Sequence, residues 1–135
     1  MNELEEFSCI DYDKVCDNVT RADSICIHLE NCKQVKLYVI EKKEKLDPYS
    51  QELREAENQI DMTISYLSVC KAIKCEKMIV TGQLTQSLVR TDRRRLNYIY
   101  SYRTLRQKGD PDIKEKIAKY VYENKKRLIT IIIKF

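Results

Sequence analysis

The residues whose types and spacing could support chemistry are concentrated in one basic stretch, "LTQSLVRTDRRRLNYIYSYRTLRQK", at positions 84–108. Its arginines suit contacts with phosphate groups, and its tyrosines suit stacking against bases. The candidate nucleic-acid contacts are Arg90, Arg93 and Arg94, which lie opposite the leucines on a helical wheel. The alternative is a helix that packs its tyrosines and arginines against protein. We favour this alternative because no sequence-reading module is recognisable, so any DNA contact would be weak and non-specific.

A histidine between two cysteines invites a metal interpretation. His28 lies between Cys26 and Cys32, but structural zinc sites usually combine two closely spaced ligand pairs. The cysteine pairs here are five, six and seven residues apart. We therefore predict no metal and no cofactor, and free thiols that pack as small hydrophobic groups in a reducing compartment. The N-terminal residues contain no apolar signal segment, and no apolar run approaches the length of a membrane span, so we expect no membrane partner.

The sequence shows no recognisable catalytic arrangement. With two glycines it has neither a phosphate-binding loop nor a dinucleotide-binding fingerprint. No combination of a nucleophile with a neighbouring base stands out, and paired acids such as Glu5 and Glu6 suit solvated faces. We therefore expect no catalytic residues and a protein that is not an enzyme.

Composition favours helices as the elements that position these residues. Two glycines and two prolines in 135 residues leave little material for turns. We predict an all-α fold of four to five helices in a bundle-like single domain, residues 1–135. The expected helical segments are 3–19, 21–45, 48–78, 84–108 and 111 onwards. Start signals are Asp47 before Pro48 and Asp110 before Pro111. Gly82 and Gly109 are expected to interrupt helices, and the closing "LITIIIKF" could instead form a strand.

Charge is distributed unevenly along the chain. Residues 1–30 carry eight acids and two bases, whereas residues 90–135 carry fourteen bases and five acids. An acidic front and a basic back can attract each other or present two different faces to partners.

Three short blocks resemble the helical A domain of subunits of the GINS complex, a four-subunit replication factor. Residues Leu46, Pro48, Tyr49, Glu52 and Leu53, then Asp92-Arg93 with Arg103-Thr104, then Asp110-Pro111-Asp112 with Tyr120, Val121 and Leu128, are similar to motifs of the Sld-five type. The related Psf-one type competes through Ser87, Leu88, Val89, Arg90, Arg93, Leu96, Tyr98, Ile99 and Tyr100, and through Lys126, Leu128 and Thr130. The resemblance covers residues 46–135, and residues 1–45 match little.

The resemblance implies a non-enzymatic scaffold subunit in a nucleus. Its partners would be three other GINS-like chains in a heterotetramer and the replicative helicase ring. No B domain follows Phe135 in this sequence, which puts helicase docking through that domain in doubt. Two other classes stay open: a small basic helical nucleic-acid-binding protein, and a helical interaction subunit of an unrelated complex.

Aromatic and branched side chains near the C-terminus suggest a partner interface. On a helix they would point in several directions, so one intramolecular face could not bury them all. The expected interface residues are Tyr98, Tyr100, Tyr102, Ile131, Ile133 and Phe135. We therefore expect an obligate subunit rather than a stable monomer.

Overall fold

The computed structural model describes residues 7–11, 22–30, 34–86 and 97–123. In these residues the chain forms one five-stranded sheet with helices on both faces. The prediction of an all-α bundle is therefore wrong, and the fold is mixed α/β.

The sheet combines an antiparallel meander with a parallel extension. The strands are β1 (Phe7–Asp11), β2 (Ser24–Glu30), β3 (Gln34–Leu46), β4 (Lys74–Leu84) and β5 (Ile99–Ser101), and they lie side by side in this order. The first three pair antiparallel, whereas β3 with β4 and β4 with β5 pair parallel. The helices are α1 (Gln51–Tyr66), α2 (Tyr102–Leu105) and α3 (Ile113–Glu123), with a 3₁₀ turn at Ser68–Lys71.

The central strand β3 is buried on both faces. Leu37 and Val39 pack with residues of α1, whereas Tyr38 and Ile40 pack with residues of α2 and α3. Successive side chains of a strand alternate between faces, so a strand covered on both sides needs a continuous apolar run. The sequence "VKLYVI" supplies that run.

Each face of the sheet has its own apolar cluster. The cluster beneath α1 contains Ala22, Ile25, Leu37, Val39, Leu46, Leu53, Ala56, Ile60, Ile79 and Ile99. The cluster beneath α2 and α3 contains Cys9, Cys26, Tyr38, Ile40, Met78, Val80, Leu105, Ile117, Ala118 and Val121. Helix α1 connects the parallel strands β3 and β4 and contacts both, as the crossover connection of parallel strands requires.

Several helix predictions fail because β-branched runs pair in the sheet instead. Residues 7–11, 24–30, 34–45 and 74–78 lie in strands where helix was expected, and α1 ends at Tyr66, not near Met78. The basic stretch is not one helix either, since Leu84 ends β4 and Ile99 begins β5. The helix expected after Pro111 is confirmed as α3.

The expected helix starts at Pro48 and Pro111 are wrong by a few residues, because α1 begins at Gln51 and α3 at Ile113. Asp47 accepts hydrogen bonds from the Tyr49 N–H at 2.9 Å and, through its backbone carbonyl, from the Ser50 hydroxyl at 2.8 Å, which forms a turn before α1. At α3 the capping residue is Asp112: its carboxylate accepts from the Glu115 N–H at 2.8 Å, and Glu115 accepts from the Asp112 N–H at 3.2 Å. This reciprocal pair is a capping box.

Four cysteines form disulfides, so the prediction of free thiols is wrong for them. Cys9 and Cys26 face each other across β1 and β2 and are bonded, and Cys70 in the 3₁₀ turn is bonded to Cys75 in β4. Cys16 and Cys32 lie outside the described residues. No helix among the described residues is long and apolar enough to cross a membrane.

Candidate functional site

Two acidic side chains meet on the face of the sheet that α1 covers. Asp23 lies immediately before β2, and Ser24 pairs with Ile40 of β3. Extending this register by one residue places Asp23 opposite Glu41. Because Ile40 faces α3, its neighbour Glu41 faces the α1 side, as Asp23 does. The carboxyl groups of Asp23 and Glu41 are joined by a hydrogen bond.

Glu41 is an acid in a buried environment that disfavours its ionised form. Its side chain projects from β3 on the face that α1 covers, and the residue is only 2% exposed. Burial, and after it the hydrogen bond to Asp23 and the negative charge of Asp23, raise the pKa of Glu41 to about 9. Glu41 therefore keeps its proton near neutral pH.

A lysine completes the group on the same face. Lys43 follows Glu41 by two residues in β3, so the two side chains share a face of the strand. Its positive charge lowers the pKa of Glu41, in opposition to burial and Asp23. The sequence Glu41-Lys42-Lys43 thus places an acidic and a basic side chain on the same face of β3, with Asp23 on the adjoining strand.

Asp23 is held in position by two elements. Its carboxylate oxygen Oδ2 accepts a hydrogen bond of 2.8 Å from the backbone N–H of Lys42. The preceding residue, Ala22, donates its backbone N–H to the Thr63 hydroxyl of α1 at 2.7 Å. Thr63 in turn donates to the backbone carbonyl of Gln59 at 2.8 Å. Helix α1 therefore fixes the backbone at Asp23, and β3 fixes the carboxylate.

An unpaired amide oxygen lies on the same side of α1. Thr63 lies on the side of α1 that faces the start of β2, where it accepts a hydrogen bond from the Ala22 N–H. Glu57 lies on the side that faces β5, where it accepts a hydrogen bond of 2.9 Å from the Tyr98 hydroxyl. Gln59 precedes Thr63 by one turn and shares its side. The Gln59 Oε1 atom is buried and finds no hydrogen-bond donor among the residues that the structure describes. Buried polar atoms of this kind are rare in folded proteins and need a reason.

These groups suit a hard divalent cation. Within the described part of the chain, no cluster of three or more His, Cys, Asp or Glu side chains could hold a metal. Magnesium does not need such a cage, because it is commonly held by one or two carboxylates and keeps several waters or phosphate oxygens. Asp23 and Glu41 supply the two carboxyl groups.

The tyrosines expected at a partner interface lie at the start of β5 and α2. The Tyr98 ring lies beneath the Lys77 ammonium, 5.2 Å from its centroid. Tyr100 is half-buried against the cluster below α3, and burial raises the pKa of its hydroxyl to about 12. Tyr102 stacks on Tyr122 with 4.5 Å between ring centroids and donates to Glu123 at 2.8 Å. All three are thus engaged within the chain.

The remaining expected contacts fall outside the described residues. These are Arg90, Arg93 and Arg94 for nucleic acid, and Ile131, Ile133 and Phe135 for a partner chain. The predicted interface stays a prediction. His28, the candidate metal ligand between Cys26 and Cys32, is buried in β2, and Cys26 of the same strand is bonded to Cys9.

Sequence reasoning missed Asp23, Glu41 and Lys43, although a signal existed. Each charged residue adjoins an apolar run of strand-like composition, "SICIHL" after Asp23 and "LYVI" before Glu41. Charged residues are seldom buried unless paired. An acid at the end of a buried strand is therefore a reason to search for a partner on the neighbouring strand.

Comparison of the chain with protein-family models, with curated proteins and with solved structures finds no significant match. The resemblance to GINS subunits, and with it the expected nuclear location and partners, stays an untested hypothesis. The fold and the geometry of the site are therefore the basis for the assignment of a function.

Proposed function

We propose that this chain is a divalent-metal-dependent phosphodiesterase that hydrolyses the backbone of a nucleic acid at Asp23, Glu41 and Lys43. The observation that carries the proposal is the pairing of two carboxyl groups, one of them buried, with a lysine on one face of the sheet. Removing the Glu41 carboxyl group from water is expensive. A binding role explains why acids are present there.

The two carboxyl groups would hold the cation. Without a cation, a proton on Glu41 keeps the pair together, and cation binding displaces that proton. A divalent ion bound here would polarise a phosphoryl oxygen and lower the pKa of an attacking water. Asp23 enters this arrangement already oriented, because its Oδ2 is fixed by the Lys42 N–H at 2.8 Å.

Lys43 would act on the phosphate. Its ammonium group shares the face of Glu41 and is a compact positive charge. Negative charge builds up on the phosphate oxygens during in-line displacement, and a cationic group fixed beside them stabilises that charge more than it stabilises the ground state. A lysine is therefore suited to lowering the barrier, whereas the carboxylates position the cation.

The charge of the chain favours a polyanionic substrate. Lysine and arginine exceed aspartate and glutamate by 25 to 21, and the excess lies toward the C-terminus. Basic surfaces attract nucleic acid through release of the counterions that surround the phosphates. The two described surface cavities, of about 330 and 410 Å³, are lined by residues other than Asp23, Glu41 and Lys43.

A non-enzymatic scaffold role, expected from the sequence, is untested. It rests on helical motifs in residues 46–135, and this range also contains the strands β4 and β5. The hydrolase proposal accounts for the acids and the lysine, which a scaffold role leaves without a purpose.

The test is metal-dependent cleavage by the full chain. End-labelled single-stranded DNA, duplex DNA and RNA are incubated with the protein in Mg²⁺, in Mn²⁺ and in a chelator. We expect cleavage of at least one substrate with either metal and none with the chelator. Asp23→Asn and Glu41→Gln should each lower kcat by about a hundredfold or more.

Two exposed acids provide matched controls. Glu44 lies in the same strand and is exposed, and Asp61 of α1 is exposed and lies 3.8 Å from the Lys77 ammonium. Glu44→Gln and Asp61→Asn change charge by the same amount and should leave kcat unchanged. Metal-independent cleavage, or equal activity of wild type and Glu41→Gln, would contradict the proposal.

A further inference from the structure

We propose that the Cys70–Cys75 disulfide is a site of thiol–disulfide exchange, at which a low-molecular-weight thiol enters a surface cleft and attacks the Sγ atom of Cys75. The Cys9–Cys26 disulfide takes no part in this exchange. The proposal does not depend on cleavage of nucleic acid at Asp23, so either can fail without the other.

The two disulfides differ in their access to solvent. Cys9 and Cys26 are 6% and 0% exposed, and both belong to the apolar cluster beneath α2 and α3. Cys70 and Cys75 are partly exposed and pack against the cluster beneath α1 from outside. Exchange requires the attacking sulfur to contact a sulfur of the bond, so access favours reaction at Cys70–Cys75.

A surface cleft leads to one residue of the accessible bond. The cavity of about 330 Å³ is lined by Cys75 and Lys77 of β4, by Tyr98 and by Lys114 of α3, among others. Neither this cleft nor the cavity of about 410 Å³ is lined by Cys70. A small thiol in the cleft therefore meets Cys75 first, which makes Cys75 the attacked residue and Cys70 the leaving group.

Lysines around the cleft favour a negatively charged nucleophile, and the attacking species in this exchange is a thiolate. The ammonium groups of Lys74 and Lys114 lie 3.2 Å from the Glu76 carboxylate, and that of Lys77 lies 3.8 Å from Asp61. Three cationic groups thus share two carboxylates. Because the Lys77–Asp61 pair lies in solvent, it compensates the charge of Lys77 only in part. Lys77 therefore attracts a thiolate that enters the cleft.

The exchange balances in two steps. In the first, a thiolate RS⁻ forms a bond to Sγ of Cys75, the Cys70–Cys75 bond breaks, and Cys70 leaves as a thiolate that takes up a proton. In the second, another RS⁻ attacks the R sulfur of the mixed disulfide, which releases RSSR and Cys75 as a thiolate that is protonated in turn. The protein disulfide is reduced to two thiols, and two molecules of RSH are oxidised to RSSR.

Reduction would loosen the connection between α1 and β4. The bond joins the 3₁₀ turn Ser68–Lys71 to β4. Between them, the Ala72 and Ile73 N–H groups both donate to the Val69 carbonyl at 2.9 Å. A short turn at the surface opens locally with little free energy once its cross-link is lost. The amide protons of Ala72 and Ile73 should therefore exchange with solvent about tenfold faster in the reduced chain, with the rate at Ile40 in β3 unchanged.

The first test is selective reduction of the folded chain. Cys16 and Cys32 are replaced by serine, so that every thiol detected comes from the two bonds, and the wild type is mapped in parallel. The oxidised protein is incubated with glutathione, a tripeptide thiol, without denaturant, and new thiols are alkylated and located by mass spectrometry. We expect alkylation at Cys70 and Cys75 at least about tenfold faster than at the cysteines of the buried bond. Equal rates at the two bonds, or no reduction of Cys70–Cys75 in excess glutathione, would overturn the proposal.

The second test identifies the sulfur that the cleft serves. Cys70→Ser leaves a thiol at Cys75, and Cys75→Ser leaves one at Cys70. With oxidised glutathione, each remaining thiolate forms a mixed disulfide and releases one molecule of glutathione. We expect this reaction to be at least about threefold faster at Cys75. An equal or faster reaction at Cys70 would overturn the route through the cleft.

A charge variant tests the role of the cleft lysine. Lys77→Gln should slow reduction of the Cys70–Cys75 bond by glutathione about three- to fivefold, and the difference should vanish near about 1 M salt. Lys45→Gln is the control, because Lys45 is exposed and pairs with Gln83, toward the other end of the β3–β4 ladder from Cys75. It removes the same charge and should leave the rate unchanged. Equal slowing in both variants would assign the effect to net charge and contradict the role of the cleft.

Discussion

The carboxyl groups of Asp23 and Glu41 meet across β2 and β3 on the face that α1 covers, and they are joined by a hydrogen bond. One of the two, Glu41, is almost completely removed from solvent. A proton or a cation is required between such groups, because two bare negative charges at this separation in a buried place repel strongly. The expected dependence of stability on pH and on Mg²⁺ follows from whether a proton or a cation is bound between the two carboxyl groups.

The stability of the metal-free chain should fall as pH rises. The pKa of Glu41 is about 9 in the fold and near 4.5 in the unfolded chain. Between these values the folded chain binds more protons than the unfolded chain, so the free energy of unfolding decreases with increasing pH. Urea unfolding in a chelator across this interval measures the effect.

Glu41→Gln is the control for this pH dependence. Glutamine cannot ionise, so the variant should lose the part of the decline between about pH 4.5 and 9 that Glu41 contributes. Mg²⁺ should raise the stability of the wild type most at the alkaline end, where the competing proton is lost. A variant with the same pH profile as wild type would place the cause in other groups.

Replacement of Gln59 by leucine should separate stability from function. The Oε1 atom is buried without a donor among the described residues, so its removal relieves a desolvation penalty of about 1 kcal/mol and the free energy of unfolding should rise. The same change removes an oxygen from the side of α1 that carries Thr63, so the apparent affinity for Mg²⁺ should fall.

Denaturant unfolding and Mn²⁺ titration of Gln59→Leu check both parts. Asn58→Leu, at an exposed position on the same helix, is the control. Lower stability together with unaltered metal affinity would mean that Gln59 has a purely structural role.

Loss of the disulfide between β1 and β2 should destabilise the chain. Cys9 and Cys26 are separated by 17 residues, and a cross-link that closes a loop of this size stabilises by about 3 kcal/mol, mainly by restricting the unfolded chain. The double variant Cys9→Ala with Cys26→Ala should lose about that amount. The Cys70–Cys75 bond closes a loop of only five residues, so its removal should have a smaller effect. An unfolding midpoint that does not respond to a reducing agent would contradict both expectations.

Gly82 is required by close packing. A Cβ atom at this position in β4 would meet the Tyr122 hydroxyl and would lie 2.6 Å from the Glu44 carbonyl oxygen. Gly82→Ala should therefore lower the free energy of unfolding by about 1–3 kcal/mol. Adding Tyr122→Phe removes one of the two clashes, so the double variant should recover part of the loss. Thermal unfolding of the single and double variants tests this, and full tolerance of alanine would show that the strand pair shifts freely.

Local signals in the sequence predicted part of the fold. The helix after Pro111 and the start of a helix near Asp47 follow from capping chemistry, which operates within a few residues. The strands were missed because Ala22, Ile25, Cys26 and Leu29 fit a helical spacing as well as a buried strand. A continuous apolar run is compatible with both periods. The β-branched content of "LYVI" and "MIV" is the feature that favours strands.

The candidate site depends on contacts that no local pattern specifies. Glu41 and Lys43 are two residues apart, and their common face follows directly once a strand is assumed. Asp23 joins them only through the β2–β3 register, and Thr63 joins them only through the packing of α1 on the sheet. Register and packing are properties of the whole fold, so the sequence alone could indicate an unusual buried acid but not its partners.

The central claim is that Asp23 and Glu41 together hold a divalent cation. The most direct test is anomalous diffraction from crystals of the full chain soaked in Mn²⁺ at alkaline pH, where Glu41 loses its proton more readily. We expect one anomalous peak within coordination distance of a carboxylate oxygen from each residue, and no peak at that position in crystals of Glu41→Gln. An anomalous map without a peak between these two carboxyl groups at saturating Mn²⁺ would contradict the claim.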